Sequence, residues 1–304
     1  MGIYDFLDKS IVFENEPMSA HSSFRTGGPA GYLVTPENSD DVVAAIRFSR
    51  DASLPFFTMG YGTNLLISDK GFDGVIIKLC EKFSGCAVIE EDDEHIVIRA
   101  QAGCRLAKVA SLAAKNSCTG MEALSGIPGS VGGAVLMNAG AYDGQVADVL
   151  VSSKYIDLDT LIVGEKDADA HDFKYRFSSY QCENKLILSA DFSLRKIASQ
   201  ESIYEKMKEL NKRRADKQPL EFPSAGSTFK RPEGYYAGAL IEASGLKGYT
   251  IGGACVSEKH AGFVINKGGA TSFDIYNLVQ YIRKKVYEDS GVTLQTEIIF
   301  VGEF

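Results

Sequence analysis

Gly126-Ile127-Pro128-Gly129-Ser130-Val131-Gly132-Gly133-Ala134-Val135-Leu136-Met137-Asn138-Ala139-Gly140-Ala141-Tyr142 is the stretch on which the reading of this chain turns. Gly126, Gly129, Gly132, Gly133 and Gly140 strip side chains from an otherwise apolar run. Glycine loses the most backbone entropy on ordering, so the stretch suits neither a helix nor a strand. It has two physical readings. One is a loop whose bare backbone N–H groups approach something flat or anionic. The other is a buried, tightly packed crossing between two elements. Pro128 stiffens the turn, and Ser130, Asn138 and Tyr142 supply the only polar side chains.

Familiar motifs do not fit. A nucleophile elbow needs glycine two positions before the serine, where Ser130 has Pro128. A P-loop needs a lysine, and none occurs from 116 to 153. Gly60-Tyr61-Gly62-Thr63-Asn64-Leu65 begins like a dinucleotide fingerprint but lacks its third glycine. The chain therefore carries two glycine-rich, ligand-type loops of neither common pattern.

Composition sets outer limits. The 304 residues are 45% hydrophobic and 24% charged, enough for two domains or one large one. A net charge of −8 argues against a general nucleic-acid binder, which needs a basic face. The six cysteines form no Cys-x-x-Cys and read as buried free thiols, and no metal site is expected. The first residues do not read as a signal peptide, and no apolar run approaches the ~20 residues that span a bilayer. A soluble, cytoplasmic, monomeric protein is expected, with no membrane and no nucleic-acid partner.

Periodicity predicts strands at 31–34, 55–58, 75–77, 87–89, 96–98, 149–156, 186–194 and 294–301. Helices are predicted from a cap at Ser39, over 105–115, over 199–217, over 237–244 and over 272–290, the last closed by Gly291. The class is α+β. We place one domain at 1–195, with a core at about 25–193, and a smaller α+β domain at 196–304.

The two loops, with Phe24-Arg25-Thr26-Gly27-Gly28-Pro29-Ala30, closely resemble the FAD-binding part of the UDP-N-acetylenolpyruvoylglucosamine reductase (UDP-N-acetylmuramate dehydrogenase) family. The resemblance continues through Tyr175-Arg176-Phe177-Ser178 and the run from Pro223 to Pro232, which holds Ala225-Gly226-Ser227-Thr228. It extends through Ile251-Gly252-Gly253-Ala254, His260-Ala261-Gly262-Phe263 and Glu297-Ile298-Ile299, in the family's order and spacing. It implies a two-lobed FAD-binding domain of the vanillyl-alcohol oxidase/p-cresol methylhydroxylase type, followed by a substrate-binding domain. The short stretch between Arg176 and Leu186 resembles the family's shorter, type II form.

The family's activity is a step of peptidoglycan precursor synthesis. NADPH, the co-substrate, passes hydride to FAD, and reduced flavin passes it to the enolpyruvyl group of a UDP-sugar. By that resemblance Arg25, Gly60, Tyr61, Gly62, Thr63, Asn64 and Leu65 belong to the cofactor site. So do Gly126, Ile127, Pro128, Gly129, Ser130, Gly132, Gly133, Ala134, Asn138, Gly140, Ala141 and Tyr142. Relatives that tether FAD use a histidine in the first loop; here there is none, so the flavin is expected to be non-covalent.

Arg176, Ser227 and Glu297 fall at the catalytic positions. Arg176 would fork the substrate carboxylate, where the plain reading is a surface ion pair. Ser227 would donate the proton, where the plain reading is a turn serine. Glu297 would act as a shielded carboxyl with a raised pKa, where the plain reading is a solvent-facing strand residue. Ile299 replaces an arginine frequent in the family, leaving Lys217, Lys230 and Arg231 to meet the UDP phosphates. Competing functions are an alcohol or sugar oxidase of the same fold and a flavin- or nucleotide-binding protein without chemistry. The four histidines receive no role.

Overall fold

The computed structural model describes residues 2–197 and 199–304. The α+β class is as expected, with two compact units. Each unit is discontinuous. The first takes in residues 1–12, 34–61 and 77–214, and the second 13–33, 62–76 and 215–304. One cut at 195/196 does not describe these units, because stretches of the early chain pair with its far end. Leu65–Ile67 runs parallel to Ile299–Val301.

A six-stranded sheet dominates the first unit, in the order Val163–Asp167, Leu150–Asp157, Lys185–Lys196, His95–Gln101, Cys86–Glu91, with Cys118–Thr119 also on Lys185–Lys196. These pairings are antiparallel. His95–Gln101 alternates as a one-sided strand should, burying Ile96, Ile98 and Ala100. Lys185–Lys196 is central and buries an unbroken run from Leu186 to Phe192. That run includes Asp191, 6% exposed, which needs a partner. Arg99, directly opposite, provides a two-pronged one at 2.8 and 2.6 Å.

Leu106–Lys115 buries Leu106, Val109, Ala110 and Ala113, the spacing of one helical face. The helix at Ser39–Asp51 begins one residue earlier than its expected cap implied. Asn38 is the cap, and its side chain accepts from the N–H groups of Asp40 and Asp41. Gln200–Lys217 is a long helix with only Ile203 and Leu210 buried.

In the second unit, Ser272–Ser290 buries Ile275, Leu278, Val279, Ile282 and Val286, and Gly291 ends it at φ +72°. Its start is doubly capped. Thr271 forms a capping box with Asp274, and the Asp69 carboxylate accepts from the N–H groups of Ser272 and Phe273 at 2.8 and 2.9 Å. The helix packs over Thr250–Ile251, Ala254–Val256 and Val264–Asn266, a small antiparallel sheet. Phe24, Leu66, Phe229, Ile241, Leu294 and Ile298 complete that core.

Two expected elements change. The strand predicted over 294–301 is only Ile299–Val301, preceded by a lone bridge from Thr296 to Phe229. The glycine stretch holds a short helix, Val131–Leu136, capped by the Ser130 side chain.

Candidate active site

In the first unit, Ser130 links the two glycine loops. A Cβ built on Gly60 would sit 2.2 Å from the Ser130 hydroxyl oxygen, so only glycine allows this approach. The second loop also docks by backbone onto residues 102–106. The Val131 and Gly132 N–H groups donate to the carbonyls of Cys104 and Ala102, each at 2.8 Å, and Leu106 N–H donates to Gly129 at 3.2 Å.

The glycines of this stretch therefore divide. A Cβ on Gly132 would meet the Ala102 Cβ at 2.9 Å, and one on Gly140 would meet the Gly144 carbonyl and Gln145 at 2.9 Å. Those two answer the packed-crossing reading. Gly133 is exposed, and an added Cβ would find only the Ser130 hydroxyl, at 3.4 Å.

Asn138 and Ala134, both expected at the cofactor, have side chains turned to the protein. Asn138 is 2% exposed; its amide donates to Gln145 and to the Lys174 carbonyl, both at 3.1 Å, and accepts from Ala147 N–H at 3.0 Å. Ala134 is 3% exposed and packs inward from the helix. The Tyr142 hydroxyl donates to the Leu210 carbonyl at 3.0 Å, and the Arg213 guanidinium lies 4.6 Å from its ring centre.

Arg176 stands on a tight turn. Lys174 and Phe177 exchange backbone hydrogen bonds, both 3.1 Å, leaving Tyr175 and Arg176 at the tip. Arg176 adopts φ +55°, unusual for a residue with a side chain, and is half-buried. Its guanidinium donates to the Gly140 carbonyl at 3.2 Å, which ties the candidate carboxylate fork to the second glycine loop.

In the second unit, Ser227 follows Gly226 at φ +75°, with Thr228 fully buried. Thr228 is pinned on three sides. Its N–H donates to Gly262 at 2.9 Å, its hydroxyl accepts from Val264 N–H at 3.0 Å, and its carbonyl accepts from Glu297 N–H at 2.8 Å. The structure thus brings the Ser227 and Glu297 positions together. Glu297 is half-buried and sits in a bend rather than the expected strand. His260, left without a role, accepts from Gly262 N–H through Nδ1 at 3.1 Å, and burial pushes its pKa down. It is a neutral brace for the turn that holds Thr228.

Asn64, expected as part of the first loop, also belongs with Glu297: its side-chain amide donates to the Glu297 carbonyl at 3.0 Å. Ile299 spends its N–H on the Asn64 carbonyl at 2.9 Å. Lys217 and Arg25 are exposed, the latter at φ +57°. Lys230 is half-buried, and the Arg231 guanidinium stacks 4.0 Å from the centre of the Tyr236 ring.

The first loop suits a dinucleotide. Gly62 takes φ +66°, and among the described residues no protein acceptor takes the N–H groups of Tyr61, Gly62, Thr63 or Asn64. A run of free donors about a left-handed residue is an anion nest. Arg105 went unnoticed in the sequence, although it immediately precedes a helix and lies two residues after Gly103. Its backbone bridges to Ser130, and its guanidinium lies 3.7 Å from the Tyr61 ring centre. The described residues hold no cluster of metal-ligating side chains and no helix long and apolar enough to cross a membrane.

Comparison with known proteins supplies the family. A family model for an FAD binding domain matches residues 30–163, and one for the C-terminal domain of UDP-N-acetylenolpyruvoylglucosamine reductase matches 218–301. The reductase of Caldanaerobacter subterraneus subsp. tengcongensis is 47% identical over 98% of this chain and 96% of its own length. The solved reductase from Thermus caldophilus covers 94% of this chain and 97% of its own, at 30% identity and a TM-score of 0.79. A Phl p 4 variant, a glucose oxidase, aligns over 64% of this chain with a TM-score of 0.50 at 13% identity, a likeness of fold alone. Full-length identity at that level, with both family models in order, places the chain in the UDP-N-acetylenolpyruvoylglucosamine reductase family of FAD-dependent oxidoreductases.

Proposed function

We propose that the chain reduces UDP-N-acetylglucosamine enolpyruvate to UDP-N-acetylmuramate, with NADPH as reductant and a non-covalent FAD. The observation that carries this reading is the backbone link from Thr228 to Glu297, which sets a hydroxyl donor and a carboxyl at neighbouring positions. FAD, when bound, relays hydride from NADPH to the methylene carbon of the substrate. The groups that would hold it are the N–H groups of the first loop and the open backbone at Gly133.

The protein's own tasks are to place the substrate and to move one proton. Hydride addition leaves negative charge on the carbon beside the carboxylate. Arg176 binds that carboxylate in a fork and spreads the charge, a task for which its planar guanidinium is suited. The Ser227 hydroxyl protonates the carbon. Glu297 shares a hydrogen bond with the enolate and restores the serine proton. Lys217, Lys230 and Arg231 provide the cations for the UDP phosphates.

The test uses the purified holoenzyme. Its visible spectrum should be that of a flavin, NADPH should bleach it, and the enolpyruvyl substrate should restore it without oxygen. Acid should release all the FAD into the supernatant, as no histidine lies in either glycine loop. A bleached flavin that the substrate fails to reoxidise would overturn the reading.

A further inference from the structure

We propose that Tyr180, Ser153 and His171 form a buried, proton-ordered clamp that positions Arg176 for the substrate carboxylate. The proposal rests on the role of Arg176 given above.

The three side chains are 3%, 1% and 0% exposed. The Ser153 hydroxyl lies 2.7 Å from His171 Nε2 and 2.7 Å from the Tyr180 hydroxyl. His171 Nδ1 faces the carbonyls of Asp167 and Ala168 at 2.9 and 3.2 Å. A carbonyl can only accept, so Nδ1 carries the proton and Nε2 offers a lone pair. The order follows. Tyr180 donates to Ser153, Ser153 donates to His171, and His171 donates to the backbone. Burial also holds His171 below its ordinary pKa, which keeps the ring neutral as this order requires.

The chemistry of the reaction uses none of these groups. Their importance lies in what they bracket. Ser153 is on the strand Leu150–Asp157, which is paired on both sides within the first unit's sheet. His171 and Tyr180 sit on the short helical turns Ala168–His171 and Ser179–Gln181, one on each side of the Arg176 turn. A single hydroxyl on a rigid strand therefore fixes both feet of the segment that presents Arg176.

Neighbouring contacts reinforce the same segment. Lys166 Nζ donates to Ser179 at 2.7 Å and to both Glu183 oxygens at 2.7 and 2.8 Å, and it lies 4.3 Å from the Tyr180 ring centre. Gln181 donates to the Arg176 carbonyl at 3.0 Å. Arg176 holds a left-handed backbone conformation, which persists only where the surroundings determine it. Fixing both feet supplies that determination.

The experiment compares holoenzymes carrying Tyr180→Phe, Arg176→Lys and the pair together, with Ser153→Ala as a second clamp variant. Five quantities are read: substrate affinity by calorimetry, the two half-reaction rates, amide exchange over 172–178, and Tm. Tyr180→Phe should weaken substrate binding and flavin reoxidation by roughly tenfold, within the ~100-fold that a misplaced group can cost. Amide exchange over 172–178 should rise, and flavin reduction by NADPH should change by less than about twofold. On an Arg176→Lys background the same change should add less than about twofold, because residues acting through one another are not additive.

A full tenfold loss on that background overturns the clamp, as does wild-type substrate affinity in both Tyr180→Phe and Ser153→Ala. So does a parallel fall in Tm, flavin reduction and reoxidation, which marks a merely structural network. If Arg176→Lys itself leaves substrate affinity and reoxidation intact, the fault lies in the role given to Arg176, and the clamp has nothing to position.

Discussion

The Asn64 side-chain amide donates to the backbone carbonyl of Glu297 at 3.0 Å, joining positions 233 residues apart. Ile299 N–H returns a bond to the Asn64 carbonyl at 2.9 Å, so the first glycine loop and the segment bearing Glu297 are sewn together from both sides. A shift at Asn64 must therefore be felt at Glu297.

Asn64→Asp tests that coupling. It replaces a donor with a carboxylate facing a carbonyl oxygen, removing a bond worth about 1 kcal/mol and adding repulsion. The expected outcome is a Tm lowered by a few degrees and slower reoxidation of flavin by the enolpyruvyl substrate. Stopped-flow traces that match wild type in the second half-reaction would show that Glu297 does not depend on this bond.

Ser227→Ala separates the half-reactions. If the hydroxyl only protonates carbon, flavin reduction by NADPH stays near wild type while reoxidation slows by the ~10²–10⁴ of a lost general acid. Glu297→Gln should follow the same pattern. Equal slowing of both steps would instead make Ser227 a part of the flavin pocket.

Gly132 and Gly133 are neighbours with opposite expectations. Gly132→Ala forces a Cβ against Ala102 at 2.9 Å and should destabilise the fold by about 1–3 kcal/mol. Gly133→Ala meets no such obstacle and removes glycine from a helix, a change worth about 1 kcal/mol in favour of folding. We expect Gly133→Ala to keep or raise the Tm of flavin-free protein while lowering FAD affinity in a fluorescence titration. An unchanged affinity would remove Gly133 from the flavin site.

Acid should loosen the first unit through His171. Burial depresses its folded-state pKa against the opposing hydrogen bonds to the Asp167 and Ala168 carbonyls, with Lys166 adding repulsion and Glu183 a weaker attraction. A depressed histidine leaves stability intact above the unfolded value of ~6.5 and loses it below, as the unfolded chain takes the proton first. The loss can reach ~1.4 kcal/mol per pH unit until the folded state also protonates. Tm measured from pH 7.5 to 5.5 should fall less steeply in His171→Gln than in wild type.

Local chemistry made part of this structure legible. Ser272–Ser290 was readable at both ends, since its apolar stripe is periodic and Gly291 supplies the left-handed stop. The Asp69 contribution to its cap was not, because nothing near residue 69 points to a helix start some two hundred positions later. The helix inside the glycine stretch was missed for a related reason. Composition disfavours it, but the Ser130 cap and backbone docking onto residues 102–106 override propensity. Asn138 was a reasonable cofactor residue by type, and only the fold reveals that its amide is wholly engaged by Gln145, Lys174 and Ala147. The candidate site residues were assigned through family resemblance alone. Their physical partners, such as Thr228 for Glu297 and Ser153 for the Arg176 segment, were not.

The parallel pairing of Leu65–Ile67 with Ile299–Val301 also has a consequence for biosynthesis. A ribosome completes residue 67 about 230 residues before it completes the partner strand, and at ~5–20 residues per second that interval is roughly 10 to 50 s. Throughout it, Leu65, Leu66 and Ile67 are an apolar segment whose partner strand does not yet exist. The nascent chain is thus sticky at a defined place and for a defined time. Its yield in the cell should depend on chaperone capacity and on translation speed over the intervening codons, quantities that leave the finished enzyme untouched.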